Sequence, residues 1–107
     1  MRRGELWIAA GGKHDAGKPR PVLVVQDDRF DATDSITICP LTSDPSEIPL
    51  LRIQLNPSST GLSQPSSIMI DQLTTMPRSK LGEHIGEVSD TDMLALSRAL
   101  VVFLGLA

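Results

Sequence analysis

Cysteine is almost missing from this sequence. Cys39 stands alone, so no disulfide can form within the chain, and its setting in Ile36-Thr37-Ile38-Cys39-Pro40 reads as a small buried side chain on a strand. Aromatic residues are scarce, with one Trp and two Phe, which excludes a nucleic-acid surface built mainly on base stacking. Long apolar runs are lacking as well: the longest, Ala99 to Leu106, is too short for a bilayer, and Met1-Arg2-Arg3-Gly4-Glu5 is not followed by the apolar stretch of a signal peptide. A cytoplasmic location without a membrane partner is expected. His14 and His84 stand apart from each other and lie in no ligand pattern, so neither a metal nor a cofactor is expected. Gly11-Gly12 matches no phosphate loop or dinucleotide fingerprint, no nucleophile elbow occurs, and no internal repeat is visible.

What is present fits one domain over residues 1–107, a length that buries a single modest core and gains from an oligomeric partner. The chain is 40% hydrophobic and 21% charged, a composition that folds rather than staying disordered. Its formal net charge of −3 runs against a general phosphate-binding surface, so any nucleic-acid site needs local clustering of Lys18, Arg20, Arg52, Arg78 and Lys80, together with Arg2, Arg3 and Lys13.

Leu6 to Ala10 reads as a first strand, ending in the Gly- and charge-rich loop Gly11 to Pro19. Arg20 to Gln26 is a continuous apolar run behind a proline suited to a strand start or edge. Ser35 to Pro40 sets Ile36, Ile38 and Pro40 against Thr37 and Cys39, the period of a half-buried strand. Leu50 to Leu55 and Ser67 to Thr74 are further strands, His84 to Val88 a short edge strand, and Asn56 to Ser66 has the composition of a mobile loop. Ser89 is placed to cap a helix with Asp90 and Asp92 in its first turn, followed by Met93, Leu96, Leu100 and Phe103 at helical spacing. Leu94, Val101, Val102 and Leu104 widen that stripe beyond one sheet face, which predicts a homodimer. The sum is an antiparallel β fold with one C-terminal helix packed on it, a small barrel or an α+β sheet.

The polar residues collect at strand ends: Asp15 and Lys18 before the second strand, Arg20 at its start, Thr42 and Ser43 after the third, and Asp71 in the fifth. A guanidinium beside hydroxyl donors suits a phosphate, because arginine binds two oxygens at once and stabilises the extra charge of a pentacoordinate phosphorane.

Arg3-Gly4-Glu5-Leu6-Trp7, then Lys18-Pro19-Arg20-Pro21-Val22-Leu23-Val24-Val25, resembles the opening of the MazF/PemK toxins, with their RGE[IL]W start and RPV-type second strand. Pro40-Leu41-Thr42-Ser43 resembles the strand-end P-x-T-[ST] segment of that family. Gly61-Leu62, Asp71-Gln72-Leu73 and Leu81 to Val88 follow in family order, so the resemblance covers nearly the whole chain.

The resemblance implies an SH3-like small antiparallel β-barrel with a long terminal helix, as in the wider MazF/CcdB-like superfamily. It also implies a dimer whose interface groove binds RNA, and a cognate antitoxin that occupies that groove. It assigns Arg20 and Thr42 as the main catalytic pair. The implied reaction is attack of the ribose 2′-hydroxyl on the adjacent phosphate, with Thr42 and Ser43 donating to non-bridging oxygens and no metal needed. Asp15 becomes a candidate general base or a residue that orients Arg20, with His14 beside it. Lys18, Asp71 and Gln72 become candidate RNA contacts, although the arginine that stands two residues before Asp71 in some relatives is Met69 here. Two alternatives remain at this point: a CcdB-like gyrase poison of the same fold, whose usual Trp-Gly-Ile tail is lacking in Phe103-Leu104-Gly105-Leu106-Ala107, and a non-catalytic binding module.

Overall fold

The computed structural model describes residues 1–11, 18–45, 48 and 50–106. Seven strands form the sheet: β1 (Glu5–Ala9), β2 (Arg20–Val24), β3 (Ser35–Thr42), β4 (Arg52–Leu55), β5 (Ser66–Met69), β6 (Thr74–Pro77) and β7 (Leu81–Glu87). Their order is β4-β5-β3-β2-β1-β7, with β6 also paired to β3, and every pairing is antiparallel. The expected class, mainly antiparallel β with a C-terminal helix, is what folds. The two ends of the sheet, β4 and β7, are not joined by strand pairing. A short helix, α1 (Pro57–Thr60), covers the gap, capped by the Asn56 side chain, which accepts from the Ser58 amide at 2.9 Å.

α1 therefore falls inside the stretch expected to be a mobile loop. Gly61 leaves it at φ +81°, the left-handed conformation that glycine adopts without penalty. Two backbones meet here: a Cβ on Gly86 of β7 would lie 1.7 Å from the Thr60 carbonyl oxygen.

β3 keeps the expected period of two but buries residues on both faces. Ile36 and Ile38 enter one buried cluster with Val22, Val24 and Leu81, whereas Cys39 and Leu41 enter another with Leu6, Leu23, Ile68 and Leu96. Along its length the strand also changes neighbour, its start pairing with β6 and its end with β5. Pro40 keeps the face of Ile36 and Ile38, opposite Val22, and is half-buried there at a cavity wall. Between β5 and β6 the chain makes a 3-10 turn at Ile70–Gln72. Asp71 thus sits in a turn and not in a strand, and β6 is an edge segment that the sequence pattern did not separate.

The terminal helix, α2 (Asp90–Phe103), begins as expected, with the Ser89 hydroxyl accepting from the Asp92 amide at 3.2 Å. Leu96 is fully buried, and Met93, Ala99 and Leu100 pack around it. Arg3 fastens this helix to the sheet by donating to the Val25 carbonyl and, at 2.7 Å, to Ser97 Oγ. That arginine has a structural use and does not add to a phosphate surface. Burial pushes the Cys39 thiol up to about 11, so it stays protonated and serves as core.

Candidate active site

Strand register brings Arg20 and Thr42 together. Val22 pairs with Pro40 across β2 and β3, and continuing that antiparallel register by two residues sets Arg20 opposite Thr42. Residues two apart share a face of a strand, so Arg20, Val22, Pro40 and Thr42 all line one cavity of about 490 Å³. Ala9, the β1 partner of Arg20, forms part of its floor. Met69, Thr74, Thr75 and Met76 supply the opposite wall.

The charges at this cavity differ from those of the protein as a whole. Arg20 and Lys80 are its charged lining residues, and no carboxylate is among the described ones. Both charged side chains among the described lining residues are thus cations, a sign that attracts anions. Lys80 comes into place because Leu81 is the β7 partner of Ala9 and the Ala10 amide donates to the Lys80 carbonyl at 2.8 Å. In the sequence Lys80 was one cation among many; nothing local distinguished it.

Thr42 Oγ1 accepts from the Asp44 amide at 3.1 Å. A hydroxyl that accepts in this way keeps its own proton to donate. Ser43 lines an adjoining cavity of about 280 Å³ that also touches Thr42. Lys18 is exposed just ahead of β2 and lines neither cavity. His14 and Asp15 lie outside the described residues.

Asp71 and Gln72 are placed elsewhere. Arg52 Nη1 donates to Asp71 Oδ1 at 2.5 Å, and Gln72 Nε2 donates to Asp71 Oδ2 at 3.4 Å. Arg52 is the register partner of Met69, so the guanidinium beside Asp71 comes from the neighbouring strand. Burial pushes the Asp71 carboxyl up, but the Arg52 hydrogen bond and charge outweigh it and hold the group below the usual carboxylate range. A carboxyl depressed on folding gives stability that is present above its unfolded pKa and lost as pH falls through the folded value. Asp71→Asn is accordingly expected to cost about 1 kcal/mol at pH 7. The gap to wild type should close as pH is lowered from about 4. Calorimetry at both pH values checks this, and a gap independent of pH would exclude the ion pair as its source.

The histidine expected to stand alone does not. Trp7 stacks on His84 with ring centroids 5.3 Å apart, and Glu5, His84 and Glu87 bring ligand-type atoms within 4.8 Å of one another. Glu5 Oε1 already accepts from the Arg2 amide at 2.6 Å and from Trp7 Nε1 at 3.2 Å. The group lies outside the lining of the Arg20 cavity, and its hydrogen bonds explain why Glu5 and Trp7 occur together in the opening motif.

The chain is similar to known proteins in sequence and in fold. A family model described as PemK-like, MazF-like toxin of type II toxin-antitoxin system matches residues 2–104. A probable endoribonuclease MazF of Mycolicibacterium smegmatis is 54% identical, over 100% of this chain and 99% of the relative. Endoribonuclease MazF9 of Mycobacterium tuberculosis is 30% identical, over 99% and 98%. Among solved structures, a mycobacterial endoribonuclease in complex with its cognate antitoxin superposes with a TM-score of 0.83 at 26% identity, covering 100% of this chain and 97% of that one.

Proposed function

We propose a reaction from the premise that this chain belongs to the PemK-like, MazF-like toxin family of type II toxin-antitoxin systems. Its activity is that of an endoribonuclease, carried by one domain over residues 1–107. The observation that carries the chemistry is the shared cavity of Arg20 and Thr42.

A ribose 2′-oxygen attacks the adjacent phosphorus and the bond from phosphorus to O5′ breaks. One proton leaves the 2′-hydroxyl and one joins the departing 5′-oxygen, giving a 2′,3′-cyclic phosphate and a 5′-hydroxyl. The nucleophile comes from the substrate, so the protein has to orient, neutralise and move protons. Arg20 faces the phosphate and serves charge stabilisation or proton transfer. The Thr42 hydroxyl donates to a non-bridging oxygen, helped by Ser43. Asp15 is assigned as the general base or as the residue that orients Arg20, and His14, Lys18, Asp71 and Gln72 as RNA contacts. Asp71 and Gln72 reach RNA only outside the cavity, on the rim beside Arg52. No metal enters these steps.

The test is incubation of purified protein with labelled RNA in EDTA, followed by end-group analysis. Fragments with cyclic phosphate and 5′-hydroxyl ends are the expected result. No cutting, with inhibition of gyrase, would instead favour the CcdB-like alternative, and inactivity in both assays a binding module.

The partners follow from surface chemistry. α2 and its tail leave Val102 66% and Leu106 72% exposed, with Leu94 and Leu104 half exposed, more apolar surface than a lone small domain keeps in water. A homodimer and a cognate antitoxin are the assigned partners. No helix among the described residues is long and apolar enough to cross a membrane, and the assigned location is the cytoplasm, where RNA is met. Sedimentation velocity at micromolar concentration is expected to give a dimer, and a strict monomer would refute that assignment.

A further inference from the structure

We infer that the cavity of about 280 Å³ adjoining the Arg20 cavity is a nucleobase pocket. In this reading it favours adenine at one of the two nucleotides flanking the cut. The inference rests on the ribonuclease reading above and deepens it by naming what part of the RNA the neighbouring space would hold.

Register makes the two cavities continuous. Thr42 pairs with Ser67 across β3 and β5, and Ser67 pairs with Gln54 across β5 and β4. With Arg20 opposite Thr42, one row runs Arg20, Thr42, Ser67, Gln54 over four adjacent strands, and direct cross-strand partners point to the same face. Thr42 lines both cavities. From Thr42 to Gln54 is two strand spacings, roughly 10 Å, comparable with the reach from a backbone phosphate to the far edge of its own base. The cavity has space for roughly nine water-sized volumes, close to the heavy-atom count of a nucleobase.

Its chemistry is that of edge recognition. Among the described lining residues no side chain is aromatic and none is cationic, so neither stacking nor phosphate attraction explains it. Instead Gln54 offers an amide with both donor and acceptor, and Ser67, its register partner on β5, offers a hydroxyl from a largely buried position. A glutamine amide matches the adjacent donor and acceptor that adenine presents at N6 and N7, a pair that uracil, cytosine and guanine do not present on that edge.

Two readouts test this together. In the first, a random-sequence RNA is digested and the base frequencies around the cuts are compared for wild type, Gln54→Ala and Gln54→Glu. In the second, binding is titrated with short oligonucleotides that carry a single 2′-deoxy nucleotide at the cut, lack the nucleophile there, and vary the base on either side. Wild type is expected to favour adenine at one flanking position by roughly tenfold. Gln54→Ala should flatten that one position and leave the others unchanged, and Gln54→Glu should shift it away from adenine. Circular dichroism confirms that each variant is folded, as expected for an exposed strand residue. Cutting with an unchanged preference in both variants overturns the pocket. Base-dependent binding that responds to Gln54 in a protein that never cuts would overturn the ribonuclease reading and keep the pocket, and uniform binding without cutting would overturn both.

Discussion

Arg20→Ala is expected to slow RNA cleavage by about 10²- to 10³-fold, the usual cost of removing a preorganised charge-stabilising donor from a reacting centre. The negative charge grows as the phosphorus becomes five-coordinate. Arg20 stands at the strand entrance facing Thr42, and Lys80 is the other cation lining the cavity. Lysine at position 20 keeps the charge but loses the planar fork that grips two oxygens, so Arg20→Lys should recover only part of the rate. Thr42→Ala removes one neutral hydrogen bond and should cost less, about tenfold. Arg20 is exposed at the first residue of its strand, so its replacement should leave thermal stability within about 0.5 kcal/mol. Single-turnover cleavage with thermal melting on the same preparations separates a chemical loss from a folding loss. Undiminished cutting by folded Arg20→Ala would remove this guanidinium from the reaction.

Gly86→Ala is expected to be the most damaging single-methyl change in the chain, destabilising it by roughly 3 kcal/mol or more. The added carbon would sit 1.7 Å from the Thr60 carbonyl oxygen and 2.7 Å from its carbonyl carbon, and backbone cannot step aside as a flexible side chain can. α1 would have to lift from β7, uncovering the end of the sheet that strand pairing leaves open. Leu96→Ala, which empties a fully buried position under α2, should fall in the same range, about 2–5 kcal/mol. Gly105→Ala, with nothing within 4 Å of the added carbon but φ at +73°, should cost only about 1 kcal/mol. Chemical denaturation of the three variants gives the ranking. A Gly86→Ala protein as stable as wild type would mean that α1 does not press on β7 in solution.

Several elements were legible because their signals are local. The Ser89 cap, the two aspartates after it and the spacing of Met93, Leu96 and Leu100 marked α2. The apolar run from Val22 to Val25 marked a strand, and all four residues are buried. β6 was not separable, because Thr74–Pro77 ends in proline and continues from a 3-10 turn that looks like strand in composition. Pro40 lies on the face of Ile36 and Ile38, as the alternation indicated, but beside a cavity that only the fold creates. Among the candidate site residues, Arg20 and Thr42 were singled out by residue type and family motif. Lys80 and Gln54 were not, since an exposed lysine and an exposed strand glutamine look like solvated surface until their neighbours are known.

By itself the sequence determined the kind of each long element, where the last helix starts, and the inertness of its single thiol. These follow from backbone sterics, side-chain period and burial preference within a few neighbouring residues. The family was legible too, through short motifs in a set order. Only the tertiary structure decided that Arg20 stands opposite Thr42, that Arg52 claims Asp71, that Arg3 ties down a helix, and that Gln54 joins the cross-strand row of Thr42 and Ser67. Each of these depends on the register between strands far apart in the chain, and register is set by how the whole sheet buries its apolar faces at once.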